Sequence, residues 1–303
     1  MKRLPWQDIS CKNRADADAF ILGVPFDGGA SNGKGAFAAP DKIRELSRIV
    51  SGITEEGHIF TPFKVLDDGD VPINLHWEKY FHAVQERAEG LLATDKFCLF
   101  LGGDHSVTIP LQTAFAQVHK DEKVGIIHFD SHTDIAEEYD GHGWSHACTQ
   151  RRALELPNVD PAGLTFLGIR SYMEEELRFL SSHPEIKVLG AREIYRRGLD
   201  AIAAEVKARY QGYNSIYITI DIDVLDPAFA PGTGTPEAGG LSTRELIELS
   251  RELVQTLPVK ALDIVEVAPP LDAADITSWA ALKVIYEVFG ALAGKKGKIK
   301  TEY

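Results

Sequence analysis

The sequence predicts a three-layer α/β/α fold on a mostly parallel β-sheet, and two observations support this. Short apolar runs, rich in β-branched and aromatic residues, recur along the chain, as expected of strands that are buried on both faces. Helical stretches separate these runs, and alternating strands and helices are typical of a parallel sheet covered by helices on both sides. No repeat, low-complexity tract or linker divides residues 1–303, so we expect a single domain.

The apolar runs predict six strands, each apolar nearly throughout. The six are Ala19–Val24, Phe97–Leu101, Val124–Phe129, Leu164–Ile169, Ile216–Ile222 and Ala261–Val267. In open α/β sheets, ligands bind beyond the carboxyl ends of the strands. We therefore look for functional residues directly after each run.

Six helices are predicted between and after the strands. Pro40 suits the first turn of a helix that runs to about Ile49. Ser242 followed by Glu245 predicts a capping box ahead of the apolar-periodic stretch Leu246–Leu257. The remaining four are Leu75–Leu92, Ser106–His119, Leu199–Tyr210 and Ile276–Leu292.

Composition and charge exclude several functional classes. The chain has 44% hydrophobic and 25% charged residues, as a globular protein does. We find no secretory signal and judge no segment apolar enough to cross a bilayer, so we expect a cytoplasmic protein without a membrane partner. The net charge of −13 argues against a nucleic-acid partner, which requires a basic surface. Cys11, Cys98 and Cys148 predict neither a disulfide framework nor a CxxC zinc site.

Polar clusters lie at the carboxyl ends of four of the predicted strands. They comprise Gly102–Ser106 with His105, His128–Asp134, Asp221–Asp226 and Glu266. Alternate residues of extended chain point to one face, so Asp130, His132 and Asp134 should converge, and Asp221 and Asp223 likewise. Burying such groups is costly without a compensating cation.

The ligand types indicate which cation this is. Carboxylate oxygen and imidazole nitrogen without thiolate favour Mn²⁺ or another divalent first-row metal. Four aspartates and two histidines exceed what one ion needs, so we predict two ions bridged by carboxylates.

Other polar residues nearby are expected to be structural. Asp104 and Asp226 should bond loop amides, as aspartates in turns do. We place His128 out of phase with the ligand pattern and expect a core or interface histidine. The glycine-rich run Ala230–Pro236 lacks the lysine and helix start of a phosphate-binding loop, so it should shape a pocket wall.

Five motifs extend over nearly the whole chain. They are GVPFD from Gly23, GGDHS from Gly102, FDSHTD from Phe129, DIDVLDPAFAPGTGTP from Asp221 and DIVEVAPPLD from Asp263. Together they resemble the ureohydrolase (arginase–agmatinase) family, and within it the agmatinases most closely. The resemblance implies an arginase-like fold, a homo-oligomer that is a trimer or hexamer, and hydrolysis of a small cationic guanidino compound to urea and an amine.

The resemblance also implies which residues bind two Mn²⁺ ions, with Ni²⁺ as an alternative metal. One ion would be held by His105, Asp130, Asp134 and Asp221. The other would be held by Asp130, His132, Asp221 and Asp223, so that Asp130 and Asp221 bridge the pair.

Catalytic roles follow from the same resemblance. The two ions would hold a hydroxide that attacks the guanidinium carbon. Glu266 would orient the guanidinium nitrogens by charge-assisted hydrogen bonds. His146 would carry a proton to the leaving amine and contact the substrate, with Asp134 as a second proton carrier.

Several residues depart from the family pattern. Ala147 and Gln150 replace the glycine and phenylalanine that commonly follow the loop histidine, so the substrate could differ. Trp144 could stack on a guanidinium and bind substrate, or simply pack a surface loop. The segment Asn32–Phe37 stands where agmatinases usually carry two arginines, which could alter the pocket rim or the subunit contacts.

Agmatine, giving putrescine and urea, is the predicted substrate, and guanidinobutyrate, guanidinopropionate and guanidine are the alternatives. A guanidino acid needs a cation near the pocket mouth, whereas the amine of agmatine needs an acid or a carbonyl. A single-zinc deacetylase of related fold would lack the second set of ligands, but Asp130, His132 and Asp223 are all present. A non-catalytic regulator would typically lose a ligand or Glu266, which this chain retains.

Overall fold

The computed structural model describes residues 3–300, in which eight strands form one fully parallel sheet. The strands are β1 (Ala19–Gly23), β2 (Val65–Asp70), β3 (Phe97–Leu101), β4 (Val124–Phe129), β5 (Leu164–Leu167), β6 (Lys187–Leu189), β7 (Ser215–Asp221) and β8 (Val259–Val265). Their order in the sheet is β2-β1-β3-β8-β7-β4-β5-β6. The predicted α/β class with a parallel sheet is confirmed.

Nine α-helices lie in the described residues and cover both faces of the sheet. They are α1 (Ala39–Ser47), α2 (Trp77–Leu92), α3 (Thr108–Val118), α4 (Thr149–Ala153), α5 (Glu174–Ser182), α6 (Ala191–Arg197), α7 (Leu199–Arg209), α8 (Thr243–Thr256) and α9 (Ile276–Lys295). Helices α1 and α6–α9 share one hydrophobic core with the sheet, and α2–α5 pack on a second core. The predicted capping box opens α8, where Ser242 and Glu245 exchange hydrogen bonds.

Two strands escaped prediction because both lie at the edges of the sheet. The sequence of β2, VLDDGD, is polar, and Asp67 and Asp70 form ion pairs with Arg44 of α1 instead of entering the core. Strand β6 has only three residues. Neither segment has the continuous apolar run that marks a central strand.

Helix α9 corrects one expectation from the sequence. Together with the turn before it, residues Ala273–Lys295 are long and apolar enough to cross a bilayer, although none was expected to be. In this protein 78% of the apolar stretch is buried, and the helix packs against α1 and α8. Its hydropathy therefore reflects a core position within the described chain.

Candidate metal centre and substrate cavity

Six predicted ligands converge beyond the carboxyl ends of β3, β4 and β7. Nδ1 of His105 lies 3.1 Å from Oδ2 of Asp130, 3.0 Å from Oδ2 of Asp134 and 3.3 Å from Oδ2 of Asp221. All four side chains are buried. Three carboxylates thus face one imidazole nitrogen.

A second imidazole completes the cluster on its other side. Nδ1 of His132 lies 3.5 Å from Oδ1 of Asp130 and 3.2 Å from Oδ2 of Asp223. Asp130 therefore presents one oxygen to His105 and the other to His132. This is the arrangement that a carboxylate between two cations requires.

Turns, rather than extended chain, bring these residues together. Strand β4 ends at Phe129, after which the backbone N–H of His132 donates to Oδ1 of Asp130 at 2.6 Å. After β7, the backbone N–H of Asp223 donates to Oδ1 of Asp221 at 2.8 Å as the cap of a short 3₁₀ turn. The expectation of alternation along extended chain was wrong, because aspartates at strand ends bond the amides that follow them.

The donor set fits divalent cations. Nδ1 of His105 and Oδ2 of Asp130 are buried and have no hydrogen-bond partner in residues 3–300, although they lie 3.1 Å apart. Buried polar atoms are normally hydrogen-bonded, so a convergent pair without partners indicates a place for a cation. Oxygen and imidazole ligands without thiolate suit divalent first-row metals.

The electrostatics of the cluster point the same way. Burial raises the pKa of Asp221 well above its usual value, and the charges of Asp223 and Asp130 add to this. Burial acts to lower the pKa of His132, but hydrogen bonds and charges from Asp130 and Asp223 outweigh it and raise that pKa to about 12. Bound cations reverse such shifts, because they stabilise carboxylates and deprotonated imidazoles.

Glu266 and His146 lie together next to the cluster. Nδ1 of His146 is 3.5 Å from Oε1 of Glu266, and its Nε2 is 2.9 Å from Oγ of Ser31. Burial acts to lower the pKa of His146, but the hydrogen bond and charge of Glu266 outweigh it and raise that pKa to about 9. His146 is therefore held protonated at neutral pH, as a proton donor must be.

Two residues of the site adopt left-handed backbone angles. Asp134 has φ 49° and Glu266 has φ 60°. Each such residue costs about 1–2 kcal/mol, because Cβ crowds the neighbouring carbonyl oxygen. Backbone hydrogen bonds hold both in place, from the Gln150 N–H to Asp134 and from Glu266 to the carbonyl oxygen of Gly103.

A cavity of about 210 Å³ opens beside the cluster. It is lined by Ser31, His132, Asp134, Tyr139, His146, Ala147, Ser171, Tyr172, Met173, Glu176 and Thr235. None of these lining residues is lysine or arginine, whereas Asp134 and Glu176 bring carboxylates. The carboxylate of Glu176 is buried and accepts the backbone N–H of Met173 at 2.8 Å.

Sequence reasoning missed five of the eleven residues that line the cavity, namely Ser31, Ser171, Tyr172, Met173 and Glu176. Glu176 ends a run of three glutamates, and nothing in that run marks the one that is buried. Ser31 lies on one loop, and Ser171, Tyr172 and Met173 lie on another that is distant from it in sequence. Their only signal was proximity to predicted motifs.

Trp144, Ala147 and Gln150, which depart from the family pattern, lie in different environments. Trp144 does not line the cavity: its ring stacks on Phe81 with centroids 5.9 Å apart, so substrate contact by Trp144 was a wrong prediction. Gln150 is also absent from the lining and is fully buried. Only Ala147 lines the cavity.

Residues expected to shape loops do so. Asp104 accepts the backbone N–H of Gly29, and Asp226 accepts that of Gly239. In the segment without the family arginines, the amide of Asn32 donates to the carbonyl oxygen of Gly234 at 2.9 Å. This segment therefore packs on the glycine-rich run, whose Thr235 lines the cavity wall as expected.

His128 lies closer to the cluster than predicted. It is fully buried, and its Nε2 lies 2.9 Å from Oδ2 of Asp130. It precedes Asp130 by two residues and so shares its face at the end of β4. Placing it out of phase with the ligands was wrong.

Known proteins share both sequence and fold with this chain. Residues 17–290 match the Arginase family. An agmatinase from Proteus mirabilis is 36% identical over 93% of this chain and 90% of its own length, and a guanidinobutyrase from Pseudomonas aeruginosa is 34% identical over 97% and 92%. The crystal structure of a hypothetical agmatinase from Burkholderia thailandensis has a TM-score of 0.83 at 32% identity, covering 93% of this chain and 87% of that one.

Proposed function

The chain belongs to the arginase family, and on this basis we propose that it hydrolyses agmatine to putrescine and urea. Enzymes of this family are binuclear metal-dependent hydrolases that act on guanidino C–N bonds. Relatives named for agmatine and for guanidinobutyrate are about equally similar to this chain. The charge of the cavity is what favours agmatine.

The proposed ligands are the six residues of the cluster, with Mn²⁺ as the metal and Ni²⁺ as the alternative. His105, Asp130, Asp134 and Asp221 would hold one ion, and Asp130, His132, Asp221 and Asp223 the other. When bound, the ions supply a hydroxide nucleophile near neutral pH.

The remaining steps fall to Glu266 and His146. Glu266 is buried, so its carboxylate can orient the guanidinium through charge-assisted hydrogen bonds that water does not screen. His146, protonated beside Glu266, donates its proton to the leaving nitrogen, which is a poor leaving group as a free amine anion. Asp134 would be the second proton carrier, and its position in the cavity lining supports this role.

A cationic substrate suits the cavity better than a guanidino acid. Asp134 and Glu176 line it without a lysine or arginine, and protonated His146 is already paired with Glu266. A substrate carboxylate would therefore find no free lysine or arginine to pair with there. Arg170, next to lining residue Ser171, donates to the backbone carbonyl oxygens of Asp223 and Glu237 instead. The ammonium of agmatine would meet carboxylate and hydroxyl oxygens.

Urea release by the metal-reconstituted enzyme tests this proposal. We expect the highest kcat/KM with agmatine when agmatine, arginine, guanidinobutyrate, guanidinopropionate and guanidine are compared under Mn²⁺ and under Ni²⁺. The Glu176→Gln variant should raise KM for agmatine more than it raises KM for guanidine, which has no second charged group. Preference for guanidinobutyrate would contradict the substrate assignment while leaving the hydrolase assignment intact.

We further propose a single-domain, cytoplasmic homo-oligomer, a trimer or a hexamer. One sheet runs through the described residues, and the family match spans residues 17–290, which supports one domain. Light scattering on the purified protein measures the oligomer directly, and a monomer would contradict this proposal.

A further inference from the structure

His128 is a buried imidazole beside the cluster that the six proposed ligands leave without a role. It is fully buried, and neither ring nitrogen has a hydrogen-bond partner in residues 3–300. A buried polar ring without partners is unusual and calls for an explanation. Its Nε2 lies 2.9 Å from Oδ2 of Asp130.

The two oxygens of Asp130 are held differently. Oδ1 accepts the backbone N–H of His132 at 2.6 Å, so the turn fixes its position. Oδ2 faces His105 and has no hydrogen bond from the described chain. Nε2 of His128 lies 2.9 Å from Oδ2, closer than Nδ1 of His105 at 3.1 Å, and it belongs to none of the proposed ligands.

Packing fixes the His128 ring in turn. It stacks on the ring of His105 with centroids 5.0 Å apart and planes 12° apart. The ring of Phe166 makes an edge-type contact with it, with centroids 5.1 Å apart and planes at 77° to each other. Both contacts restrain the plane of the ring, in which Nε2 lies 2.9 Å from Oδ2 of Asp130.

We propose that His128 is a positioning residue, which through Nε2 holds Oδ2 of Asp130 toward the His105 side of the metal centre. This inference rests on the proposed ligand set. Outer residues that orient a ligand typically change metal affinity by about 10- to 100-fold when removed. His128 should therefore act mainly on the ion at His105.

Three variants of His128 and one control variant test the inference. His128→Phe keeps a ring of similar size and removes Nε2. His128→Gln retains an N–H at a position like that of Nε2, whereas His128→Asn reaches only the position of Nδ1. His119→Phe removes a buried histidine near the amino end of β7, where it contacts Glu122 and Ser215, and serves as the matched control.

The readouts are Mn²⁺ titration by calorimetry and the electron paramagnetic resonance spectrum, with circular dichroism of the metal-free proteins as the folding check. We expect His128→Phe and His128→Asn to bind one of two ions about 10- to 100-fold more weakly. At limiting Mn²⁺ their spectra should change from exchange-coupled pairs to isolated ions. His128→Gln should restore both properties, and His119→Phe should match the wild type.

Other outcomes separate the two proposals. If His128→Phe binds both ions with wild-type affinity, or if His119→Phe weakens binding equally, the positioning role is overturned and the hydrolase assignment stands. Should His128→Phe fail to fold, equal affinities of the Gln and Asn variants would overturn it. Failure of the wild type to bind a pair of ions would overturn the ligand set and the inference together.

Discussion

Replacing Glu266 by glutamine changes one polar atom in a side chain that is 2% exposed. The fold around it should persist, because the amide oxygen of glutamine can still accept the backbone N–H that His105 donates to Oε1 at 2.8 Å. The negative charge that would pair with the guanidinium is lost. The substitution therefore isolates the charge.

The expected loss follows from the energy of such hydrogen bonds. A hydrogen bond to a charged group contributes about 1.5–3 kcal/mol, and burial of Glu266 leaves little solvent screening to reduce it. At about 1.4 kcal/mol per factor of ten, kcat/KM for agmatine should fall by about 10- to 150-fold.

The pH dependence gives a second signature of the same change. Glu266 keeps the pKa of His146 at about 9, above its ordinary value of 6.5. Without that charge the pKa of His146 falls, and the protonated donor is lost at lower pH. The alkaline limb of kcat should therefore move to lower pH in the variant.

Steady-state urea release, with metal content measured on each sample, tests both effects. Glu287→Gln, which neutralises a buried carboxylate in α9, is the matched control and should leave kcat/KM unchanged. An unchanged kcat/KM in fully metallated Glu266→Gln would refute the orienting role. Loss of metal from that variant would instead make Glu266 part of the metal centre.

Three further predictions concern stability and the substrate loop. Gln150 is fully buried and neither amide atom has a hydrogen-bond partner among residues 3–300, so Gln150→Met should raise the free energy of unfolding by about 1–3 kcal/mol in urea titrations. Exposed Gln211→Met is the control, and a lower midpoint for Gln150→Met would mean that the amide is satisfied. Removing the metal with a chelator should lower the free energy of unfolding by about 2.7 kcal/mol for each ion whose free concentration was a hundred times its Kd. An unchanged unfolding midpoint would contradict the metal site. Trp144→Ala should raise KM because it loosens the loop that carries His146, whereas Trp144→Phe should keep the stacking on Phe81 and match the wild type.

The central strands could be predicted because they are buried on both faces. Strands β3 and β4 are observed at their predicted bounds, and residues beyond the central strands form the cluster. The edge strand β2 could not be found in this way, because it pairs its aspartates with Arg44, 23 or more residues away. Local sequence carries no record of that partner.

Within the site, residue identity was predictable and geometry was not. The spacing of Asp130, His132 and Asp134 identified the cluster, but a turn, not extended chain, produces it. For Trp144 both substrate contact and loop packing were open, because its neighbour in the fold, Phe81, lies in α2, far from it in sequence. Long-range packing of this kind decides which face of a loop meets the cavity.

The left-handed backbone at Asp134 and Glu266 bears on how this protein would respond to selection for heat resistance. Glycine at either position would relieve about 1–2 kcal/mol of backbone strain. A screen that scores only the amount of folded protein would therefore enrich glycine at both positions. Each variant selected in this way would lack a carboxylate of the site. Glycine at Asp134 or Glu266 would thus raise the stability of the fold and lower the turnover of the enzyme. A library designed for thermostability should therefore keep both residues unchanged.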